Sequence, residues 1–487
     1  MKYFLVITAF VFLLAKQSQA QKYFPEKDPL VAKKIEQWRD LKFGLLMHWG
    51  AYSQWGIVES WSICPEDYGW CERKMGLDPH HYFRYLKQYQ SLPTTFNPVL
   101  FNPDKWAKTA KQAGMRYVVF TTKHHDGFCM FDSKYTDYKV TAPDCPFHSN
   151  PRANITKEIF TAFRKEGFWI GAYFSKPDWH SEYYWDPYFP PFDRNVNYDP
   201  EAYPEKWEKF VQFTHNQIME LLTDYGPIDI LWLDGGWVSK KTPEEIQKYY
   251  ASRIKNTPSG FIKNRVVNQD IRMEELAAKA RSIQPDLIIV DRAVEGPFQN
   301  YLTPENTIPE KIIPYPWESC IIAGGGWAWV PNARYKTASQ VISILINIVS
   351  KGGNLLLNIA PGPHGDFDEE AYDLLKKVGH WMAVNNEAIY GTRAYKVFKA
   401  GDVWYSLKKD GQTLYAFIID QQGNGKMPVQ VVLEKVNIPK QTKLRLLGSD
   451  QNLIWRKKGD KIVVEIPQTL RQRPPCKHAW TIRIPLK

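Results

Sequence analysis

Residues 228–236 have the sequence Ile-Asp-Ile-Leu-Trp-Leu-Asp-Gly-Gly, an apolar run that ends in a carboxylate and a glycine turn. An apolar run of this length predicts a strand that is buried on both faces, as in a parallel sheet. An acid at the C-terminal end of such a strand meets solvent and ligand rather than the core. Asp234 is therefore a candidate nucleophile, although a single aspartate at a strand end also serves to cap the following turn.

Similar apolar runs recur over the first 390 residues, and amphipathic helical patterns separate several of them. The predicted strands are residues 43–48, 116–121, 168–175, 228–234, 287–291 and 354–359. The predicted helices are residues 104–113, 156–166, 206–223 and 273–283. This alternation favours an α/β fold, a (β/α)8-like (TIM-type) barrel over residues 21–394. An open doubly wound sheet is the alternative, but here polar and aromatic residues end many different strands.

The last part of the chain, residues 395–487, has a different pattern of short strands joined by turns. The predicted strands are residues 403–407, 413–419, 429–433, 444–447, 462–466 and 480–484. Six short strands in about a hundred residues predict a C-terminal β-sandwich domain. Packing against the barrel is its expected role, and glycan binding is the alternative.

The first twenty residues form a candidate signal peptide. Lys2 precedes the apolar stretch 3–14, and Ser18-Gln19-Ala20 supplies the small residues that a signal peptidase requires. We expect cleavage after Ala20 and export to the periplasm or the medium. No other segment is long and apolar enough to predict a transmembrane helix.

The chain is basic, with a formal net charge of +11 that falls to +9 when the two lysines of the signal peptide are removed. This excess suits an anionic partner such as a sulfated glycan, but it also suits a simple soluble surface. No helix-turn-helix or zinc pattern is present, so nucleic acid is not an expected partner. Among the six cysteines, Cys64 and Cys71 are the only pair close enough in sequence to suggest a small stapled loop.

Histidines follow two of the predicted strands. His48 ends the strand 43–48, and His124 and His125 come just after the strand 116–121. Histidines at several strand ends suit hydrogen bonding to sugar hydroxyls. Metal binding is the alternative, but adjacent residues of an extended strand project to opposite faces, so one metal could not easily bind both His124 and His125. The sequence therefore predicts no metal.

An ordered set of motifs resembles glycoside hydrolase family 29, the α-L-fucosidases, from about residue 43 to residue 390. The motifs are His48-Trp49-Gly50, Lys123-His124-His125-Asp126-Gly127-Phe128, Trp232-Leu233-Asp234-Gly235, Val290-Asp291-Arg292, and the stretches 352–361 and 386–390. The resemblance implies an irregular (β/α)8 barrel and an exo-acting enzyme that releases terminal α-L-fucosyl residues from an oligosaccharide or polysaccharide. It also implies a retaining mechanism with a covalent glycosyl-enzyme intermediate.

The resemblance assigns the catalytic carboxylates. Asp234 matches the nucleophile, and a second carboxyl group must act as acid and then as base. Glu305, in Thr303-Pro304-Glu305, is the preferred acid/base. Glu318 is the second choice and Glu295 the third. This chemistry requires no metal and no organic cofactor.

The resemblance also implies the sugar-binding residues. His48, His124 and His125 would bond ring hydroxyls, and Tyr173 and Trp232 would stack on the apolar face of the sugar. The remaining candidates are Arg292, which would steady a carboxylate, and Glu59 and Trp61, which match a pair that contacts the axial hydroxyl. In this chain Ser60 separates the last two residues, a departure from the family pattern.

A second departure concerns the substrate. Many relatives carry a phenylalanine two positions before the first histidine, where this chain has Leu46. A smaller side chain would leave room at C6, so an exo-α-L-galactosidase acting on L-galactose or its 6-sulfate in algal galactan is the alternative function. A second alternative is a glycan-binding protein without activity, which the presence of Asp234 and Glu305 disfavours. The loops 62–93 and 324–329 are expected to form the leaving-group subsites.

Overall fold

The computed structural model describes residues 22–66, 68–256 and 265–486. The predicted signal peptide, residues 1–20, lies outside these ranges. Across the ranges that the structure describes, no helix is both long enough and apolar enough to span a membrane.

Seven parallel strands form the N-terminal sheet. They are β1 Phe43–Met47, β2 Tyr117–Lys123, β3 Trp169–Ser175, β4 Ile230–Asp234, β5 Ile288–Asp291, β6 Glu318–Ile322 and β7 Asn354–Asn358. Their spatial order is β5-β4-β3-β2-β1-β7-β6, and every neighbouring pair is parallel. Because the strands are buried along almost their whole length, their apolar runs are nearly continuous.

An irregular segment, residues 299–305, lies in the gap between β5 and β6. The amide of Asn300 donates to the carbonyl of Ile289 in β5 at 3.0 Å. On the other side, the amide of Glu318 in β6 donates to the carbonyl of Leu302 at 2.8 Å. The predicted (β/α)8-like barrel is thereby confirmed as a curled seven-stranded sheet with an irregular eighth position. That position ends at Glu305.

Nine helices are described in this part of the chain. They are α1 Pro29–Leu41, α2 Tyr82–Gln90, α3 Pro103–Gln112, α4 Ile155–Lys165, α5 Pro204–Asp224, α6 Pro243–Asn256, α7 Met273–Ile283, α8 Ala338–Ser350 and α9 Glu369–Asn385. The helix α4 shows how the local sequence forms them: Asn154 caps its N-terminus, and Ile155, Ile159 and Phe163 form one buried face. The strand β6 was not predicted, because it begins with Glu318 and Ser319 and has only three apolar residues after them.

The C-terminal part is a β-sandwich, as predicted. Its strands are β8 Thr392–Ala400, β9 Val403–Lys408, β10 Thr413–Ile419, β11 Gln430–Leu433, β12 Leu444–Leu446, β13 Asn452–Leu453, β14 Trp455–Lys458, β15 Lys461–Glu465 and β16 Ala479–Pro485, with the short helix α10 Gln468–Gln472. A six-stranded sheet, β13-β12-β16-β10-β9-β8, faces a three-stranded sheet, β11-β15-β14. Leu414 and Ile482 of the first sheet and Val464 of the second share one apolar core. The strands β8, β13 and β14 were not predicted, and β8 begins before the predicted boundary at 394/395.

The sandwich packs against α9 of the barrel. The indole of Trp381 donates to the carbonyl of Ala479 at 2.9 Å, and the Thr481 hydroxyl donates to the Asn385 side chain at 2.7 Å. These buried bonds join β16 to the helix. The domain therefore packs against the barrel, as expected from the sequence.

The stapled loop suggested for Cys64 and Cys71 is not formed, because both residues are free thiols. Cys64 packs in the main apolar core, whereas Cys71 is partly exposed. The loop is held instead by Arg73, which donates to the carbonyls of Ser62 at 2.7 Å and Cys64 at 2.8 Å.

Candidate active site

A cavity of about 360 Å³ opens at the C-terminal ends of the barrel strands. Its lining residues are Leu46, His48, Glu59, Trp61, His124, His125, Arg194, Trp232, Asp234, Gly236, Trp237, Arg292, Ala293, Glu305, Cys320 and Trp327. Every side chain predicted for the site except Tyr173 is in this set. The structure therefore gathers residues from distant parts of the sequence around one pocket of small-ligand size.

Asp234 is the last residue of β4, and its carboxylate is held on both oxygens. The Tyr173 hydroxyl donates to Oδ2 at 2.7 Å, and Arg292 Nη1 donates to Oδ1 at 3.0 Å. Burial alone raises the pKa of Asp234, but the charge of Arg292, the neighbouring His125 imidazole and the Tyr173 hydrogen bond outweigh it and hold the pKa well below its usual value. The group is therefore an ionised carboxylate at neutral pH.

The turn after Asp234 requires a glycine. Gly235 has a φ of +86°, and a Cβ at this position would lie 2.3 Å from Cδ of Pro177. A larger residue would displace the turn and with it the carboxylate. This close approach explains the first glycine of the pair, and the second lies against the carbonyl of Arg292, which a Cβ at Gly236 would approach to 2.8 Å.

Glu305 faces the same space as Asp234. Arg292 Nη2 donates to Glu305 Oε2, and the indole of Trp327 donates to Oε1 at 3.2 Å. The Glu305 side chain is 44% exposed, so it lies at the mouth of the pocket, whereas Asp234 is 16% exposed. One guanidinium group thus contacts both carboxylates and holds them across a small gap.

The two other glutamates considered for the acid/base lie elsewhere. Glu318 is fully buried beneath the pocket, where it accepts hydrogen bonds from the Tyr117 hydroxyl at 2.6 Å and the Trp232 indole at 3.3 Å. Burial raises the pKa of Glu318 to about 7. Glu295 lines a different cavity and accepts from the amide of Lys22 at 3.2 Å. Neither glutamate is brought into the pocket with Asp234.

Each pocket histidine is oriented through Nδ1. The Nδ1 atoms of His48, His124 and His125 lie 2.9 Å from Asn358 Oδ1, 2.6 Å from Ser60 Oγ and 2.8 Å from Ser175 Oγ, respectively. Burial lowers the pKa of His48 and of His125 to about 4. The imidazoles are therefore neutral at pH 7, where each offers hydrogen-bonding nitrogen atoms rather than a charge.

The expectation that His124 and His125 project to opposite faces is wrong. The strand β2 ends at Lys123, and the turn that follows places the two rings 4.2 Å apart in the same pocket. With Asp234 they form a group whose possible ligand atoms all lie within 4.8 Å of one another. His and Asp are zinc ligands, so these three residues could hold a cation. Arg292 opposes this use, because its positive charge contacts the same carboxylate.

Glu59 and Trp61 both line the pocket although Ser60 lies between them. Glu59 has a φ of 21°, which lets Ser60 turn toward His124 and accept from the amide of Asp126 at 3.0 Å. Glu59 Oε1 accepts from the amide of Ala328 at 2.7 Å. Burial raises the pKa of Glu59 to about 8, so its carboxyl group is protonated at neutral pH and has a proton to donate.

The raised pKa of Glu59 gives a testable pH dependence of stability. Between the unperturbed pKa of 4.5 and about 8, the folded chain keeps a proton that the unfolded chain releases. The free energy of unfolding should therefore fall as the pH rises through this window, with a limiting slope of about 1.4 kcal/mol per pH unit. Glu59→Gln removes this contribution. Urea unfolding of both proteins from about pH 5 to pH 8 should show Glu59→Gln gaining stability relative to the wild type.

Parallel stability curves for the two proteins would contradict this prediction. The histidines do not disturb the comparison, because their contribution is common to both proteins and cancels in the difference.

Tyr173 and Trp232 have different positions. Trp232 lines the pocket, and its ring stacks on that of Tyr173 with centroids 5.2 Å apart. Tyr173 lies behind it and uses its hydroxyl to hold Asp234. The sequence analysis expected both rings to contact the sugar, but only the Trp232 ring is in the lining.

Several lining residues were missed by the sequence analysis. Trp237 follows the Asp234-Gly235-Gly236 turn directly, so it had a signal in the sequence. Trp327 lies in the loop 324–329, which was expected to form a leaving-group subsite rather than the wall of this pocket. Arg194 had none. It lies in the long connection between β3 and α5, and its guanidinium group is held in the pocket wall by Glu66 and by the rings of Trp61 and Tyr68.

A (β/α)8-like barrel with two carboxyl groups across one pocket at the ends of its strands defines a glycoside hydrolase. A family model described as Alpha-L-fucosidase matches residues 10–387, and a model of the Alpha-L-fucosidase C-terminal domain matches residues 398–485. The chain belongs to the α-L-fucosidase family, glycoside hydrolase family 29.

Relatives match over nearly the whole chain. Plasma α-L-fucosidase of Homo sapiens is 26% identical over 482 residues, covering 96% of this chain and 93% of the relative. An α-L-fucosidase of Branchiostoma floridae is 26% identical over 480 residues, covering 95% and 96%. Both comparisons span the barrel and the sandwich together.

Solved structures show the same architecture. The α-L-fucosidase isoenzyme 1 of Paenibacillus thiaminolyticus has a TM-score of 0.72 at 29% identity, covering 94% of this chain and all of its own. A Bacteroides thetaiotaomicron family 29 α-L-fucosidase, trapped as a covalent intermediate with 2-fluoro-fucosyl fluoride, has a TM-score of 0.68 at 22% identity. It covers 95% of this chain and 98% of its own.

Proposed function

We propose that this chain is an exo-acting, retaining α-L-fucosidase that hydrolyses terminal α-L-fucosyl residues of glycans. The observation that carries the proposal is the contact of one guanidinium group, that of Arg292, with both Asp234 and Glu305. It keeps the two carboxylates close together, as a retaining mechanism requires. The covalent intermediate trapped in the Bacteroides thetaiotaomicron relative supports the same mechanism.

In the first step, the Asp234 carboxylate attacks C1 of the fucosyl residue as the C1–O bond to the leaving group breaks. Glu305 donates its proton to the departing oxygen, and a glycosyl ester forms on Asp234. The low pKa of Asp234 keeps this carboxylate ionised for attack. The exposure of Glu305 at the pocket mouth suits its contact with the leaving group.

In the second step, Glu305 removes a proton from water as the water oxygen attacks C1. The bond from C1 to Asp234 breaks, and the carboxylate is regenerated. Two inversions at C1 give net retention. Arg292 supports both steps because it contacts whichever carboxylate is ionised.

The other pocket residues bind the sugar in this proposal. The neutral His48, His124 and His125 bond ring hydroxyls, and the protonated Glu59 donates to a hydroxyl oxygen. Trp61 and Trp232 supply apolar ring faces. The buried donors and acceptors would be left unpaired by a sugar of different configuration, which provides selectivity.

The alternative substrate, L-galactose or its 6-sulfate, depends on the wall around Leu46. Trp327 and Cys320 also line the pocket and add bulk to it. The two cationic residues in the described lining, Arg194 and Arg292, are already paired with carboxylates. A 6-sulfate would therefore find no uncommitted cation there, and the pocket favours fucose.

Parallel assays test the proposed function. We expect turnover of α-L-fucosyl fluoride and fucosylated oligosaccharides, with the α-anomer of L-fucose released first in proton NMR spectra. α-L-Galactosides should react more slowly. Faster turnover of α-L-galactosides, with or without 6-sulfate, would favour the exo-α-L-galactosidase alternative. Binding of fucose without any turnover would favour the glycan-binding alternative.

We further propose that the protein is exported to the periplasm or the medium. The proposal is supported by the sequence pattern of residues 1–20, which has a basic start, an apolar stretch and small residues before the expected cleavage site. A mature N-terminus at Gln21, determined by sequencing the protein from the exported fraction, is the expected result.

A further inference from the structure

Trp70 is the one tryptophan among the large exposed hydrophobic side chains of the described chain, with 56% of its surface accessible. Exposure of a tryptophan ring leaves a large apolar area in water, and such rings recur at binding surfaces. The mechanism described above makes no use of Trp70. Because it lies next to Trp61 of the pocket wall, the Trp70 ring is placed to contact a ligand that extends out of the pocket.

The Trp70 ring continues the pocket wall outward. Its centroid lies 5.9 Å from that of Trp61, which lines the pocket, and 5.3 Å from that of Tyr68. The planes of Trp70 and Tyr68 make an angle of 30°, so the two rings are stacked. Trp61, Tyr68 and Trp70 therefore form one aromatic surface, which we call the aromatic shelf, leading from the pocket to the exterior.

The aromatic shelf is held from behind by Glu66 and Arg194. Arg194 donates to the two carboxylate oxygens of Glu66 at 2.9 and 3.1 Å, and the Tyr68 hydroxyl donates to the same carboxylate. The Arg194 guanidinium also lies 5.0 Å from the Tyr68 ring centroid and 5.7 Å from that of Trp61. This support preorganises the shelf, so a ligand binds it with little loss of conformational freedom.

The charges beneath the aromatic shelf are balanced. Arg194 is positive, and Glu66 in direct contact with it is negative. The shelf therefore offers an apolar ring face rather than an anion site. A pyranose ring with a face of C–H bonds is the ligand that such a surface accepts, because the C–H face packs on the π-face of the indole.

We propose that Trp70 is the stacking platform for the sugar of the leaving group, a neutral pyranose directly linked to the fucosyl residue. This inference rests on the proposed function, because it assigns the subsite next to the fucose pocket. It makes Trp70 a specificity-determining residue for glycan substrates. A leaving group too small to reach the shelf gains nothing from it.

Trp70→Ala tests the assignment with two kinds of substrate. α-L-Fucosyl fluoride has a leaving group that cannot reach Trp70, whereas fucosyl disaccharides with α1,2, α1,3, α1,4 and α1,6 linkages carry a sugar. For the disaccharide that the wild type cleaves best, we expect kcat/KM to fall about fivefold to tenfold, mainly through KM. For the fluoride, kcat/KM should change less than about twofold.

Two further variants control the comparison. Trp70→Phe keeps an aromatic face and should recover most of the disaccharide activity. Leu77→Ala alters another exposed side chain of the same loop, 93% exposed, and should behave as the wild type. Melting temperatures of all variants establish that the fold is intact.

If Trp70→Ala lowers kcat/KM equally for the fluoride and the disaccharide, or lowers it for neither, the assignment of Trp70 as the stacking platform is wrong. A wild type that cleaves the fluoride but no disaccharide would overturn it as well. Failure of the proposed function gives a different result, because the wild type would then release no fucose from α-L-fucosyl fluoride.

Discussion

Replacement of Asp234 by alanine is expected to lower kcat for every fucoside by about 10⁴-fold or more, because the covalent step loses its nucleophile. The substitution also leaves the partly buried Arg292 with Glu305 as its remaining carboxylate in the site. Asp234→Asn keeps the shape of the side chain and one of the two oxygens, which can accept from either Tyr173 or Arg292 but not from both. It should be equally inactive but should still bind fucose, as measured by isothermal titration calorimetry.

Chemical rescue distinguishes a lost nucleophile from a distorted pocket. In Asp234→Ala, azide can occupy the vacated space and attack C1 of α-L-fucosyl fluoride, expelling fluoride with a single inversion. The expected product is β-L-fucosyl azide, identified by NMR. Activity of Asp234→Ala within tenfold of the wild type would contradict the assignment of the nucleophile.

Replacement of Glu305 by alanine has the second largest expected effect, and the effect should depend on the leaving group. For a fucosyl disaccharide, kcat/KM should fall by about 10²-fold to 10⁴-fold, because a sugar alkoxide needs a proton to depart. Fluoride needs little help to depart, so kcat/KM for α-L-fucosyl fluoride should stay close to the wild-type value. Steady-state assays with both substrates measure the difference.

The other two glutamates provide matched controls for Glu305→Ala. Glu295→Ala should keep wild-type activity on both substrates, because Glu295 lines a separate cavity. Glu318→Gln should lower stability rather than show a dependence on the leaving group, because Glu318 is buried among hydrogen-bond partners. A leaving-group dependence in Glu318→Gln, together with an unaffected Glu305→Ala, would move the acid/base role to Glu318.

Azide also separates the two steps in Glu305→Ala. The anion needs no general base, so it should accept the fucosyl group from Asp234 and give α-L-fucosyl azide, the product of two inversions. The opposite anomers expected from Asp234→Ala and Glu305→Ala make the two roles distinguishable in one assay.

Much of the barrel was predictable because its strands are buried and their sequences are locally apolar. The strands β1 to β5 and β7 lie within or close to the predicted ranges. The strand β6 was missed because it begins with Glu318 and Ser319 and has only three apolar residues after them. The burial of Glu318 is recognisable only from the Tyr117 and Trp232 side chains that donate hydrogen bonds to it. The irregular segment 299–305 has no strand periodicity at all.

The candidate site was predictable where its residues end strands. Asp234 and His48 lie at such ends, so their direction toward the pocket follows from the fold. The relative orientation of His124 and His125 did not follow, because the chain turns after Lys123 instead of continuing as a strand.

The sequence by itself determined the barrel and sandwich order, the carboxylate at the end of β4 and the motifs of the α-L-fucosidase family. These features depend on local pattern, because a buried strand and its glycine turn are encoded by neighbouring residues. Only the tertiary structure brought Glu305 beside Asp234 through Arg292, and Arg194 beneath the aromatic shelf through Glu66. Those contacts join loops far apart in the sequence, and loop positions are decided by packing and hydrogen bonds that no local periodicity records.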